Sequence, residues 1–436
     1  MTNPTENQDI RDQFLLAKSG SEPAPDGVSS ENFSIDTIHS EFPEILENAD
    51  FFQKGMAHVA EADRFGALVF QVDAPGDLLD PNKTLVALMR HVDGLCQKKN
   101  GLWGIMDNFR VGVLLPETDK TACMEAVDRL KDSFSRETGR TVTAGVAVYP
   151  TITYDKSRIL ENAEKAVRHA EFFGPDSRAA FDAVSLNISG DRYYQNGDID
   201  SAIREFKLAL MLDPKNVNVH NSLGVCYGVK ENFDEALTSF NTAMRLEPDE
   251  VMPIYNTGFI YTLKKKYSSA LEYFHKAARI DPEVYELAFQ TGRVYLETDD
   301  PRSAVKYLET ATRLNPKSGP AFRLLGDCYH LLDRLTDAVN AYKNVLKINS
   351  EDAEVLSALG FIYEIQEQNA DIALMFCQRA SQIDPDNGLF RHRLARIYYN
   401  RRHLPEALDE FQKAHDLGYD SSHYIQQTTK YLQDDQ

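Results

Sequence analysis

At 436 residues the chain is long enough for two or three domains, and a composition that is 42% hydrophobic and 10% aromatic can fill more than one core. Its 67 acidic side chains against 47 basic ones give a formal net charge of −20, which would repel a phosphate lattice and argues against nucleic acid as a ligand. The opening residues contain no apolar leader core, and no run of about 18 apolar residues occurs, so no membrane association is read and the cytoplasm is the expected compartment.

Residues 1–41 carry eight acidic and two basic side chains among Pro, Ser and Gly without an apolar period, and are expected to be disordered. From 42 to 182 the texture changes: apolar runs of strand type (67–72, 111–115 and 141–149) alternate with helical periods, which predicts an α/β or α+β domain. Cys96, Cys123, Cys226, Cys328 and Cys377 are scattered, odd in number and without a C-x-x-C pair. They are expected to be reduced structural thiols, so no metal and no cofactor is implied.

Three segments of this domain, Phe109-Arg-Val-Gly-Val-Leu-Leu-Pro-Glu-Thr-Asp119, Val142-Thr-Ala-Gly-Val-Ala-Val-Tyr-Pro150 and Ile159-Leu-Glu-Asn-Ala-Glu-Lys-Ala-Val167, taken in order, resemble the second half of a diguanylate cyclase (GGDEF) domain. Leu46 to Asn48 with Phe51 and Phe52 resembles that family's opening helix. The resemblance implies an α+β, nucleotidyl-cyclase-like fold, but the working positions have changed. Counted back from Pro116, the signature falls on Asp107, Asn108, Phe109, Arg110 and Val111, so an aromatic ring that cannot ligate magnesium stands at the metal position. The other metal-binding aspartate falls on Gln71, the guanine-reading asparagine on Leu79, and phosphate-contacting basic residues on Glu171 and Pro175. The family's inhibitory product site falls on residues 98–101 and lacks its aspartate. A frame shifted by two would restore Asp107 and call on Asp73 as a substitute ligand. Phosphoryl transfer depends on metals and positioned cations, so the domain is expected to be inactive and nucleotide binding is argued against. Two alternatives stay open: a guanine-nucleotide or cyclic di-GMP sensor, and a residual cyclase. No phosphate-binding G-x-x-x-x-G-K, no H-E-x-x-H and no nucleophile elbow occurs elsewhere.

Beyond 182 a second rule takes over. Gly190, Gly224, Gly258, Gly292, Gly326 and Gly360 are spaced by 34 residues, each followed three residues later by Tyr. Ala202, Ala236, Ala270, Ala304 and Ala338 keep the same beat, each with Phe206, Phe240, Phe274, Leu308 or Tyr342 four residues on. Spacings of three and four place each set on one helix face, so each unit is predicted to be a pair of helices, A and B. Pro214, Pro248, Pro282 and Pro316 punctuate the period. The pattern resembles the tetratricopeptide repeat (TPR). Seven repeats are expected, at 183–216, 217–250, 251–284, 285–318, 319–352, 353–387 and 388–420, with a capping helix in 421–436. An extra residue between Glu364 and Asp371 shifts the sixth alanine to Ala373. The whole is thus read as multidomain: an α+β domain followed by an all-α solenoid.

In TPR arrays helix A lines the concave side, which makes Asn187, Asn221, Tyr255, Asn256, Phe259, Phe289, Arg293, Arg323, Asp327, Phe361, His392, Arg396 and Tyr399 the candidate groove. Asparagines can bond a peptide backbone, aromatics can take apolar side chains and arginines can pair carboxylates, so a protein or peptide segment is the expected partner. Asn187 and Asp191 stand where the family's carboxylate clamp has Lys and Asn, so that clamp is not expected here. Arg391, Arg393, Arg396, Arg401 and Arg402 crowd the seventh repeat beside Tyr398 and Tyr399; a structural face ranks ahead of an acidic protein partner, and RNA ranks last. The function expected is a non-catalytic adaptor.

Overall fold

The computed structural model describes residues 11, 13–16, 35–73, 81–106, 110–367 and 369–434. The chain falls into two units, Met1–Asn256 and Thr257–Gln436, divided within the helix Val251–Leu263.

The first unit begins with α1 (Ile35–Glu41) and α2 (Asn48–His58), followed by β1 (Phe65–Val72), α3 (Pro81–Lys99), β2 (Leu102–Ile105), β3 (Val111–Pro116), α4 (Lys120–Thr138), β4 (Val142–Tyr149), α5 (Ile159–Glu171) and β5 (Arg178–Ala180). The strands form one sheet in the order β2-β3-β1-β4-β5, antiparallel except for the β4–β5 pair. Strand, helix, hairpin, helix, strand in that spatial order is the split βαβ arrangement. Alternation along β1 explains its unbroken apolar run. Phe65, Ala67 and Val69 pack with Phe51 of α2 and Ile159, Ala163 and Val167 of α5, whereas Leu68 and Phe70 pack with Leu88 and Met89 of α3 and Val127 and Phe134 of α4. With both faces covered, no strand position needs to be polar.

Strand β4 crosses α5 very closely. A Cβ on Gly145 would lie 2.1 Å from the Ala163 carbonyl oxygen and 2.4 Å from the Val167 nitrogen, so only glycine fits without backbone movement. The Pro-x-Thr-Asp turn after β3 is a helix start: the Asp119 side chain accepts from Ala122 N–H and caps α4, which ends at Gly139 with φ of 66°.

The expectation of disorder across 1–41 does not hold throughout. Residues 35–41 form α1, where Ile38 is fully buried, and Phe14 is only 6% exposed. Apolar side chains hidden in the acidic sequence anchor both stretches, although no period announces them.

Hairpins α6 (Ala183–Gln195) with α7 (Ile199–Leu212) and α8 (Val217–Val229) with α9 (Phe233–Leu246) complete this unit, together with the first residues of α10 (Val251–Leu263). Hardly any linker precedes them. Asp182 and Ser185 form a capping box two residues after β5. The Lys165 ammonium of α5 reaches both carboxylate oxygens of Glu205 in α7 at 2.8 Å, with 4% and 5% exposure for the two residues.

In the second unit the rest of α10 is followed by α11 (Tyr267–Ile280), α12 (Tyr285–Glu297), α13 (Pro301–Leu314), α14 (Gly319–Leu331), α15 (Leu335–Ile348), α16 (Ala353–Ile365), α17 (Ala370–Ile383), α18 (Gly388–Asn400), α19 (Leu404–Asp416) and α20 (Ser422–Asp434). The periodic alanines of helix B are 1% exposed or less from Ala202 to Ala407. The helix A glycine serves the aromatic of its own hairpin: a Cβ on Gly224 would lie 2.5 Å from the Phe240 ring. Each A-to-B turn has a left-handed residue, and the sixth has a second, Asn369 at φ of 48°. Gly197, Glu231, Lys265, Asp299, Asp333, Glu367 and Arg402 fill those positions at φ from 49° to 82°. Only the first is glycine, so this turn signal is nearly silent in the sequence. The last step is one residue longer than the others, which is where the inserted residue is absorbed.

Candidate functional site

Helix A of the first three repeats brings together Tyr194, Asn221, Tyr255 and Asn256, and residues 11 and 13–16 lie on them. The Leu15 N–H donates to Asn256 Oδ1 at 2.8 Å, and the Leu15 carbonyl accepts from Asn256 Nδ2 at 2.8 Å and Asn221 Nδ2 at 3.0 Å. The second Asn256 N–H goes to Asn221 Oδ1 at 2.8 Å, which fixes both amide orientations. The Tyr255 hydroxyl donates to the Gln13 carbonyl at 2.8 Å, and the Tyr194 hydroxyl to the Arg11 carbonyl at 3.2 Å. The Arg11 guanidinium returns a bond to the Tyr194 carbonyl and sits 5.4 Å from its ring centre. Asn221, Tyr255 and Asn256 are each 1% exposed or less. Asn187 stands apart: its Nδ2 is 3.4 Å from Asp191, its Oδ1 is buried without a partner, and burial pushes the Asp191 carboxyl up to about 7.

In the second unit the candidates separate. Asp327 and Phe361 line a cavity of about 370 Å³ with His330, Tyr342, Glu354 and Arg393. Asp327 accepts from the Tyr342 hydroxyl at 2.7 Å, and burial raises its carboxyl in spite of that bond and of Arg323. Arg323 pairs with Glu354. Arg393 donates to Ser357 Oγ at 3.0 Å and lies 5.1 Å from the Phe361 ring centre, with Arg396 at 4.8 Å. Arg293 is half-buried on α12.

Four candidates serve packing rather than an open groove wall. Phe259 is fully buried, and the partly buried Phe289 stacks on Tyr285 at 5.8 Å against the core. His392 is enclosed by Phe411, Tyr419 and Tyr424, and Tyr399 by Tyr424 and Tyr431. The physical reason for the last two is α20, whose apolar side covers the final hairpin. Tyr194, His330, Tyr342, Glu354 and Arg393 also line these two places; Tyr194 follows the periodic Tyr193 and is outside the repeat pattern, whereas Tyr342 holds the helix B position that the pattern assigns to packing.

The clustered arginines are spoken for. Arg391 meets Glu410 at 3.0 Å, Arg396 meets Glu364 at 3.6 Å, Arg401 meets Asp371 at 2.9 Å, and Arg402 lies 5.1 Å from the Tyr431 ring centre. Three of them are thus held in ion pairs and the fourth beside an aromatic ring.

His392 carries a pH consequence. Burial first, then the charges of Arg396 and Arg393, lowers its ring to about 4 from an ordinary 6.5. The folded state therefore holds it neutral while the unfolded chain takes up a proton below about pH 6.5. Its stabilising contribution is present above that pH and is lost as pH falls toward 4, reaching about 2 to 3 kcal/mol. A His392→Gln variant is expected to show a shallower fall in melting temperature than the parent between pH 6.5 and 4. Parallel profiles would show that the ring is not buried in solution.

Of the cyclase-site positions, Leu79, Asp107, Asn108 and Phe109 lie outside the described residues. Gln71 is held on both sides: its Oε1 accepts from Arg110 Nε at 2.8 Å and its Nε2 donates to Glu171 at 2.9 Å. Asp73 accepts from Thr143 Oγ1 at 2.6 Å and from Asp176 N–H at 2.8 Å. Asn100 and Gly101, in the stretch where the sequence resemblance places a product site, border a cleft of about 1090 Å³ whose charged walls are mainly Glu41, Glu44, Asp50 and Asp93. Among the described residues no three His, Cys, Asp or Glu side chains converge on a metal site, and no helix is long and apolar enough to cross a membrane. All five cysteines are buried and unpaired, and burial raises every thiol, Cys96, Cys123, Cys328 and Cys377 to about 12.

Residues 255–430 match the family model described as the Cilia and flagella-associated protein 70 C-terminal domain, and residues 190–228 match that of the TPR repeat. Similar solved structures include YrrB, described as a TPR protein with an unusual peptide-binding site, at 24% identity over 43% of this chain and 96% of that one, with a TM-score of 0.40. PilF of Pseudomonas aeruginosa is 20% identical over 48% of this chain and 95% of its own, with a TM-score of 0.44. MamA of Desulfovibrio magneticus RS-1 is 19% identical over 39% and 95%, with a TM-score of 0.36. No curated protein matches the chain in sequence. The helical hairpins are tetratricopeptide repeats, a fold that mediates contacts between proteins.

Proposed function

We propose that this tetratricopeptide-repeat chain is a non-catalytic adaptor, which holds a peptide segment of a partner protein against helix A of its first three repeats. One observation carries the reading: Asn221 and Asn256 together satisfy both the N–H and the carbonyl of a single residue, Leu15. Recognition of that kind grips a main chain regardless of its side chains, which is what a peptide receptor needs.

The sheet domain, read as a degenerate cyclase-like module, then has a structural or regulatory role. The Gln71 network supports that reading. A carboxamide replaces the expected carboxylate, and the Arg110 guanidinium occupies its oxygen at 2.8 Å, so a cation sits where a divalent metal would have to be attracted. The residues present do not suit that metal.

Selection from a displayed peptide library on the full chain tests the proposal. Enrichment is expected on the parent and a loss of roughly tenfold or more in an Asn221→Ala, Asn256→Ala variant, as for main-chain hydrogen bonds removed from a buried site. Equal enrichment on a folded variant would place the recognition surface elsewhere. Titration calorimetry with GTP and with cyclic di-GMP in magnesium is expected to be silent at high micromolar ligand; heat would reinstate the nucleotide sensor.

A further inference from the structure

The groove is already filled by the chain itself, and the filler describes the ligand. We propose, resting on the peptide-receptor reading above, that this groove selects a short segment in which a turn leads into an aromatic residue followed by a residue gripped through its main chain. Residues 11 and 13–16 are then a built-in competitor that a partner segment must displace. Three features of the bound stretch support this.

First, the contacts are specific to main chain at three places: the carbonyls of Arg11, Gln13 and Leu15 each accept a hydrogen bond from a helix A side chain, coming from repeat 1, repeat 3 and the repeat 2 and 3 pair respectively. Contacts separated by 183 to 242 residues along the chain arise from tertiary docking, not from local folding. Second, Phe14 is buried to 6% exposure, and the weak Phe14 N–H to Arg11 carbonyl turn at 3.4 Å precedes Leu15. An aromatic anchor beside a paired amide is the usual economy of a peptide site: area for affinity, polar pairing for register. Third, the asparagine pair is complete only with the stretch present. Asn256 Oδ1 accepts from Leu15, and Asn221 Nδ2 donates to it, so vacating the groove returns both groups to water.

An intramolecular occupant lowers apparent affinity by the fraction of molecules with an open groove. The probe is a fluorescein-labelled synthetic peptide with the sequence of residues 9–18, read by anisotropy on the full chain. The opened variant combines Phe14→Asp with Leu15→Pro, the proline deleting the N–H given to Asn256. It is expected to bind the probe roughly tenfold or more tightly than the parent. Adding Asn256→Ala, or Tyr255→Phe where the first variant misfolds by circular dichroism, is expected to abolish or weaken that binding. Equal affinity for parent and opened variant, still lost on Asn256→Ala, would overturn self-occupancy while leaving the receptor reading intact. No binding to a folded opened variant would overturn the assigned ligand class, and the receptor reading would then stand or fall on the library selection alone.

Discussion

Replacing Lys165 by Met is expected to destabilise the protein by about 3 to 5 kcal/mol, as a shift in the urea midpoint followed by circular dichroism. Glu205 lies 95% out of contact with solvent and takes both of its hydrogen bonds from Lys165. Glu161 reaches the same ammonium at 3.2 Å but also pairs with Arg158 at 2.9 Å, so the variant leaves Glu205 as the buried carboxylate whose hydrogen-bonding cation is gone. The neighbouring Tyr154 hydroxyl is buried without a partner, and burial followed by the charges of Glu205 and Glu161 holds it above its ordinary range. It adds no compensating charge. The double variant Lys165→Met, Glu205→Leu is expected to recover most of the loss, because removing both charges together ends the desolvation cost. A single-variant cost below about 1 kcal/mol would mean that the pair is hydrated in solution.

Gly145→Val is expected to cost about 4 kcal/mol or more, at the upper end of what overpacking produces. The added Cβ would meet main-chain atoms, the Ala163 carbonyl oxygen and the Val167 nitrogen, and these cannot rotate aside as a side chain would. Relief requires moving α5 off β4, which would also pull Lys165 from Glu205. Loss of soluble, cooperatively melting protein is the readout. A variant melting within a few degrees of the parent would show that the two elements are not in such close contact.

The helices were readable because repetition multiplies a weak signal: one Gly-x-x-Tyr means little, whereas six at constant spacing leave no other architecture. Strands β1, β3 and β4 were readable for a different reason, since coverage on both faces makes their apolar runs continuous. The groove was only partly accessible. Asn221, Tyr255 and Asn256 follow from their phase within the repeat, but the phase of Asn221 and Tyr255 also selects His392, which a terminal helix covers together with Tyr399 a turn further on. Nothing in the pattern distinguishes an inner wall from a covered one. The docked stretch escaped notice because its few apolar side chains sit in an acidic background, and its partners lie as many as 242 residues away. The left-handed turns escaped for a local reason, because Glu231, Lys265 and Arg402 carry none of the usual glycine marking.

The buried lysine at the junction bears on inheritance. A boundary drawn at residue 183 by composition would strand one half of an ion pair in each product, so the front module and its first hairpins cannot be shuffled separately without loss. Recombination that exchanged parts among such chains would have to break further downstream, beyond the first hairpin, and descendants should carry the lysine and the glutamate together or neither.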